Sequence, residues 1–273
     1  MAHDELLHLA RTIAVEAGEM AAERRAAGVE VADRKSSLTD VVTAADREVE
    51  LLVRERLAAA RPEDGVCGEE GEDQVGRSGL TWVVDPIDGT VNYLYGIPNY
   101  AVSIAVVEGD ANPKTWQAVA GAVFAPGVGE LFTASRGGGA FINDRPITAG
   151  PDTTLAESLL GTGFAYDPDR RARQAAVVQR LIPKVRDIRR LGVTSMDLCY
   201  VATGRLNAFY EPGLWPWDFA AGALIAAEAG AWVGDLDGGQ PGRDVVLACH
   251  RSVREAFLQA VEEAGAREVF GPR

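Results

Sequence analysis

The sequence predicts an α+β protein in two unlike halves, residues 1–150 and 151–273. Three features of patterning carry that expectation. Two segments near the N-terminus repeat apolar residues at helical spacing, and a run of short apolar stretches separated by turn residues fills 101–147. After Pro151, strand and helix patterns alternate. With 273 residues, 47% of them hydrophobic and 25% charged, the chain is long enough to bury a layered core and is ordinary in composition for a globular protein.

The first helix spans about 4–26, where Leu6, Leu7, Ala10, Ile13, Ala14, Ala17 and Met20 recur on one face, and Gly28 is its natural stop. Residues 29–42 read as a loop or short hairpin containing Lys35-Ser36-Ser37-Leu38-Thr39-Asp40. A second helix runs from about Thr43 to Ala60 and is closed by Pro62. Val66-Cys67-Gly68 is a brief strand ending in Glu69-Glu70, and a polar glycine-rich loop fills 71–79. The run Trp82-Val83-Val84 is a buried strand that ends abruptly in Asp85-Pro86-Ile87-Asp88-Gly89-Thr90.

Four strands follow, at 102–107, 117–124, 130–134 and 140–142, punctuated by Gly109-Asp110, Pro126-Gly127 and Gly137-Gly138-Gly139. The triple glycine lacks nucleotide-loop spacing and a following helix, so it reads as a hairpin turn. In the second half, strands at 159–161 and 188–191 flank a helix over Pro168–Leu181. A short helix near 195–203, a strand at 208–210, a helix over 218–229 capped by Gly230, a strand at 245–248 and a terminal helix complete the chain.

Charge and residue usage exclude several classes of function. A formal net charge of −13 argues against a nucleic-acid partner. Cys67, Cys199 and Cys249 form no paired motif, which argues against zinc or a disulfide framework and suits small core residues in a reducing cytoplasm. His3, His8 and His250 have no Cys, Asp or Ser partner at motif spacing and are expected at the surface. No signal peptide precedes the first helix and no stretch reaches membrane-spanning length, so no membrane association is expected.

The acidic residues carry the chemistry. Asp85 and Asp88 stand three positions apart where a buried strand ends, the edge at which open α/β sheets bind ligands. Hard cations such as Mg²⁺ prefer such carboxylate and carbonyl oxygens, and the Gly89 and Thr90 amides offer donors for an anion. Taken alone, Asp-x-x-Asp-Gly also suits an ordinary turn. Asp40 and Asp46 flank the start of the second helix, Glu69-Glu70 follow a strand, and Asp218 opens the helix after Trp215-Pro216-Trp217. Each has a plain alternative as a helix cap or a solvated surface acid.

Taken in order, Lys35-Ser36-Ser37 with Thr39-Asp40 to Asp46, Gly68-Glu69-Glu70, Trp82 to Thr90, and Trp217-Asp218-Phe219-Ala220-Ala221-Gly222 resemble the inositol monophosphatase family of lithium-sensitive, magnesium-dependent phosphatases, over nearly the whole chain. The resemblance implies a layered α/β/α/β/α sandwich of the inositol monophosphatase/fructose-1,6-bisphosphatase type and a homodimer. It implies two or three Mg²⁺ held by Glu69, Asp85, Asp88, Asp218 and the Ile87 carbonyl. Thr90, Asp46 and Glu69 are then expected to direct in-line attack by a metal-activated water, with no covalent phosphoenzyme. Gly89 and Thr90 are expected at the phosphate, Asp88, Ser195, Glu211 and Asp218 at a small phosphorylated polyol, and Lys35 in a loop that closes on the site. Leu38 stands where relatives usually carry proline.

Inositol monophosphate is the expected substrate, since Val91-Asn92-Tyr93-Leu94-Tyr95-Gly96-Ile97-Pro98 resembles the inositol branch. Histidinol phosphate, fructose-1,6-bisphosphate and nucleotide 3′-phosphates are alternatives on the same architecture. A bisphosphate needs further basic residues, for which Arg173, Arg189 and Arg190 are available. A regulatory binding protein with vestigial activity is a further alternative.

Overall fold

The computed structural model describes residues 2–29, 31–34 and 41–270. Helix α1 (Ala2–Ala27) carries Asp4 and Glu5 in its first turn and Arg24 and Arg25 in its last, which complements the helix dipole. It ends at Gly28, whose φ of +113° suits glycine. Strands β1 (Val31–Arg34) and β2 (Val41–Thr43) pair antiparallel. Helix α2 (Ala44–Ala60) starts at Thr43, whose amide donates to the Asp46 carboxylate at 2.8 Å.

Strand β3 (Gly65–Gly68) lies parallel to β4 (Leu80–Asp88), and the short helix α3 (Thr90–Leu94) follows directly. Then β5 (Ala101–Glu108), β6 (Gln117–Ala125), β7 (Glu130–Ser135), β8 (Gly139–Ile142) and β9 (Arg145–Ile147) extend the sheet as an antiparallel meander. The seven strands are ordered as they occur in the chain, β3 to β9. The triple glycine does form the turn between β7 and β8.

The second half builds another sheet. Strand β10 (Leu159–Thr162), helix α4 (Pro168–Leu181) and strand β11 (Asp187–Arg189) are followed by α5 (Thr194–Ala202), β12 (Ala208–Glu211) and α6 (Pro216–Glu228). Strands β13 (Trp232–Gly234) and β14 (Val246–Cys249) precede α7 (Arg254–Glu263) and α8 (Ala266–Phe270). The order is β11-β10-β12-β14-β13, parallel among the first three and antiparallel beyond.

Packing stacks these parts in five layers. α1 and α2 bury Ile13, Ala17, Val49, Val53 and Leu57 on one face of the seven-stranded sheet, against Val84, Ile104 and Val106. α5 and α6 fill the space between the sheets, with Met196, Leu198, Phe219 and Ile225 in one core with Ala105, Val123, Phe209 and Val246. α4, α7 and α8 cover the outer face of the smaller sheet through Val177, Leu181, Phe257, Val261 and Ala266. The middle layer is tight because small residues allow it. A Cβ on Gly222 would stand 2.8 Å from that of Leu198, and one on Gly121 would stand 3.1 Å from the Ala221 Cα. This is the α/β/α/β/α arrangement expected, and its central core draws on both halves of the chain.

Several details differ from the sequence reading. α3, β9 and β13 are additional elements. α6 begins at Pro216, so Asp218 is its third residue rather than its first. His250 is half-buried and shares hydrogen bonds with Ser252 (2.8 Å) and the Gly150 carbonyl (3.2 Å), while His8 is exposed as expected. All three cysteines are buried and free. Among the described residues, no helix is long and apolar enough to cross a membrane.

Candidate active site

The site begins with an irregularity in β4. Asp85 pairs with Ser103 of β5 and Asp88 with Ala101, and the register shifts between the two pairs. Pro86 sits inside this bulge, where it has no amide to give to the ladder. The bulge turns both aspartates toward one side of the strand end. The Ile87 amide donates to Asp85 Oδ1 at 3.1 Å and the Ser195 amide to Asp88 Oδ2 at 2.7 Å, so each carboxylate is oriented by backbone. Asp85 is 1% exposed and Asp88 8%.

The chain then reverses at Gly89, with φ +93°, and α3 starts. A Cβ there would meet Val193 Cγ2 at 2.7 Å. Glycine is therefore required both by backbone conformation and by the approach of the 192–194 segment. Asn92 ties the same corner together, donating to the carbonyls of Asn99 (2.9 Å) and Leu191 (2.8 Å).

Glu69, Asp85, Ile87, Asp88, Gly89 and Thr90 line one side of a cavity of about 640 Å³. Asp218 and Glu211 line the same cavity from the start of α6 and the end of β12. Asp218 Oδ2 accepts the Trp215 amide at 2.7 Å. The carboxylate that caps α6 is thus also one that lines the cavity. Ser103 Oγ donates to the Trp217 carbonyl at 3.4 Å, joining the start of α6 to β5.

Behind the cavity wall, Thr90 Oγ1 donates to Asp46 Oδ1 at 3.1 Å, with the Ile87 carbonyl equally close. Asp46 is 1% exposed and also accepts the Thr43 hydroxyl and amide. Ser195 is fully buried behind Asp88, and its neighbour Thr194 lines the cavity instead, donating to Glu211 Oε2 at 3.1 Å. Lys35 lies outside the described residues.

Burial and crowding dominate the electrostatics. Burial pushes Asp46 up to about 6 against the stabilising hydrogen bonds from Thr43. Asp85 and Asp218 rise well above the carboxylate range, first through burial and then through the charge of Glu69 and of Asp88. Asp88 is raised by burial, which the Ser195 hydrogen bonds oppose. Glu211 is pushed up to about 7 by burial, which Arg190 and Thr194 oppose.

Among the described residues, no three His, Cys, Asp or Glu side chains form a finished metal-ligand cluster. The acids instead share the wall of one cavity and repel one another across it. Such a donor set, all carboxylate and carbonyl oxygen without sulfur or imidazole, fits a hard divalent cation, whose charge relieves that repulsion.

The sequence profile of the inositol monophosphatase family matches residues 2–266. The chain belongs to the inositol monophosphatase family. It is 42% identical over 280 residues to an inositol-1-monophosphatase of Mycobacterium leprae, covering 95% of this chain and 94% of that one. It is 39% identical over 248 residues to a protein of Xylella fastidiosa named Nus factor SuhB, covering 88% of each. The solved inositol monophosphatase of Anabaena superposes with a TM-score of 0.84 at 30% identity, covering 96% of this chain and 97% of that one.

Members of the inositol monophosphatase family are metal-dependent phosphatases of phosphorylated substrates, which agrees with the oxygen-rich floor. The mouth of the cavity was less visible in the sequence. Arg170, Arg190, Arg243 and Trp215 line it. Of the three arginines available from the sequence reading, only Arg190 is among them. Arg189 instead pairs with Asp187 at 2.6 Å. Arg170 and Arg243 carry no motif; the aromatic pair around Pro216 was the one local signal.

Proposed function

We propose that the chain hydrolyses inositol monophosphate to inositol and phosphate with Mg²⁺. The observation that carries this reading is the convergence of Glu69, Asp85, Asp88 and Asp218 on one cavity, with the Thr90–Asp46 pair at its edge. Glu69, Asp85, Asp88, Asp218 and the Ile87 carbonyl would hold two or three Mg²⁺. Bound there, the ions supply positive charge that neutralises the phosphoryl and leaving oxygens and acidifies water.

The protein's own part follows from its hydrogen bonds. Thr90 gives its proton to Asp46 and so presents oxygen lone pairs toward the cavity, where a water can donate to them. Asp46, poised near 6, is a suitable relay for the proton which that water loses as its oxygen bonds to phosphorus. The phosphorus–alkoxide bond breaks on the opposite side, and the alcohol oxygen takes up a proton. The Gly89 and Thr90 amides would hold the phosphoryl oxygens. Asp88 and Glu211, both acceptors, suit vicinal hydroxyls of a polyol ring.

Phosphate release from inositol 1-phosphate, titrated with Mg²⁺ and repeated with Li⁺, tests this reading. Turnover that needs the divalent ion and is inhibited by Li⁺ is expected. Preference for histidinol phosphate or a nucleotide 3′-phosphate in the same assay would overturn the substrate assignment. A second reading, as an assembly partner in transcription, has the name of the Xylella relative in its favour. Retained function in cells carrying Asp88→Asn would favour it.

A further inference from the structure

Helix α2 presents two buried carboxylates one turn apart on a single face, Asp46 and Glu50. Asp46 reaches Thr90. Glu50, only 2% exposed, reaches the segment that carries Glu69. Its Oε2 accepts the Glu70 amide at 2.8 Å, and its Oε1 accepts Arg54 Nε at 2.7 Å from the next turn of the helix.

The segment lies just past the end of regular pairing. The β3–β4 ladder stops at Gly68 opposite Val84, one residue before Glu69. Val66 and Gln74 exchange backbone hydrogen bonds at 2.8 Å each and close the base of the loop. Within that loop, two glycines give Glu50 and Arg54 room to lie against the backbone. A Cβ on Gly68 would stand 2.5 Å from Glu50 Oε1. One on Gly71 would stand 2.8 Å from the same oxygen and from Arg54 Nε and Nη2. Neither glycine has a positive φ, so close approach rather than backbone conformation requires them.

This pair is poorly suited to stability alone. A buried ion pair is weak support for a fold, because desolvation offsets the attraction. Arg54 Nη2 is moreover buried with no hydrogen-bond partner among the described residues, which is costly. What the pair fixes is one carboxylate oxygen against one amide, that of Glu70. Glu69, the residue before that amide, lines the cavity. After burial, the charge of Glu69 is the largest influence raising Asp85 and Asp218, so any displacement of the loop is felt by both.

We infer that Glu50, braced by Arg54, is a positioning residue for Glu69 and sets how tightly the cavity holds a divalent cation without being a ligand itself. This rests on the phosphatase reading, in which Glu69 is one of the oxygen donors. One face of α2 then serves both needs of the site. Asp46 aligns Thr90 for proton transfer, and Glu50, one turn on, aligns Glu69 for the metal. Groups that orient a metal ligand from behind are worth about 10–100-fold in affinity.

Glu50→Gln keeps the shape but leaves one oxygen for two donors, so either the Glu70 amide or Arg54 Nε loses its acceptor. The test titrates Mg²⁺ calorimetrically into metal-free wild type and Glu50→Gln, and measures half-activation of inositol 1-phosphate hydrolysis by Mg²⁺ in both. The variant is expected to weaken both constants by about tenfold or more, with kcat and KM at saturating Mg²⁺ within about threefold of wild type. Arg54→Gln, at a side chain 21% exposed, tests the same brace if Glu50→Gln does not fold, and Arg54→Lys is expected to recover most of its loss. A purely structural role lowers the melting temperature in EDTA and leaves both Mg²⁺ constants at wild-type values. That result overturns the positioning role, while Mg²⁺-dependent turnover by the wild type keeps the phosphatase reading. If the wild type neither binds Mg²⁺ nor hydrolyses a phosphate ester, both fall.

Discussion

Thr90 donates its hydroxyl to Asp46 at 3.1 Å, joining the first residue of α3 to the third of α2 across 44 residues of chain. Asp46 also accepts from Thr43 at the helix start, so one carboxylate both caps α2 and orients the cavity threonine.

Under the proposed mechanism, removing either partner breaks the proton path without emptying the cavity. Thr90→Ala is expected to lower kcat by about 100-fold or more with little change in KM, because an acid–base contribution of this kind is worth about 10²–10⁴. Thr90→Ser keeps the hydroxyl and should retain most of the activity. Steady-state kinetics on inositol 1-phosphate at saturating Mg²⁺ measures both.

Asp85 separates function from stability. It is fully buried among like charges, so Asp85→Asn relieves repulsion in the metal-free protein and should raise its melting temperature in EDTA. The same change is expected to weaken Mg²⁺ activation by at least about tenfold, since even outer-shell substitutions cost about 10–100-fold. Thermal scans with and without Mg²⁺, beside a Mg²⁺ titration of turnover, check the pair. A lower melting temperature in EDTA would contradict the electrostatic account.

A pH dependence follows from Asp46. Its carboxyl is raised from 3.8 to about 6 in the folded state, so between those values the folded chain binds more protons than the unfolded one. Stability of the metal-free protein should therefore fall as pH rises from about 4 to 6, with Asp46 accounting for about 2–3 kcal/mol. Above that window Asp46 adds no further slope, while Glu211, raised to about 7, and the still higher Asp85 and Asp218 continue the fall. Urea unfolding in EDTA at pH 5 and pH 7 measures it, and Asp46→Asn should reduce the difference.

Gly89→Ala is expected to destabilise by about 2–4 kcal/mol, combining a left-handed backbone with a clash against Val193. The damage should extend to activity, because the strain falls between Asp88 and Thr90. Denaturation midpoints and kcat, compared with Gly79→Ala at an open turn of φ +84°, isolate the clash from the backbone effect.

Much of this was legible in residue pattern. The helix over Pro168–Leu181 has the predicted limits because Asp167 caps it, accepting the Arg170 amide at 2.7 Å, and Pro168 occupies its first position. The acids of the floor were found because they cluster in short motifs. Strand β9 was missed although Asn143 and Asp144, both at positive φ, mark the two-residue turn before it. Strand β13 is only Trp232–Gly234 and owes its pairing to β14, a tertiary choice without local signature. The start of α6 was misplaced because Pro216 is preceded by tryptophan rather than a usual capping residue. The mouth was hidden because its arginines come from three distant segments, each of which reads alone as surface charge.

The bulged end of β4 is held on both sides by its neighbours, β3 in parallel and β5 in antiparallel pairing, whereas the arginines of the mouth ride on a helix and two loops. Under the proposed function, the reacting floor and the rim of the cavity are therefore mounted on parts with unequal freedom to vary. Substitutions at the rim are expected to leave the strand ladder undisturbed. A lineage built on this scaffold can diversify its diet while inheriting its chemistry intact.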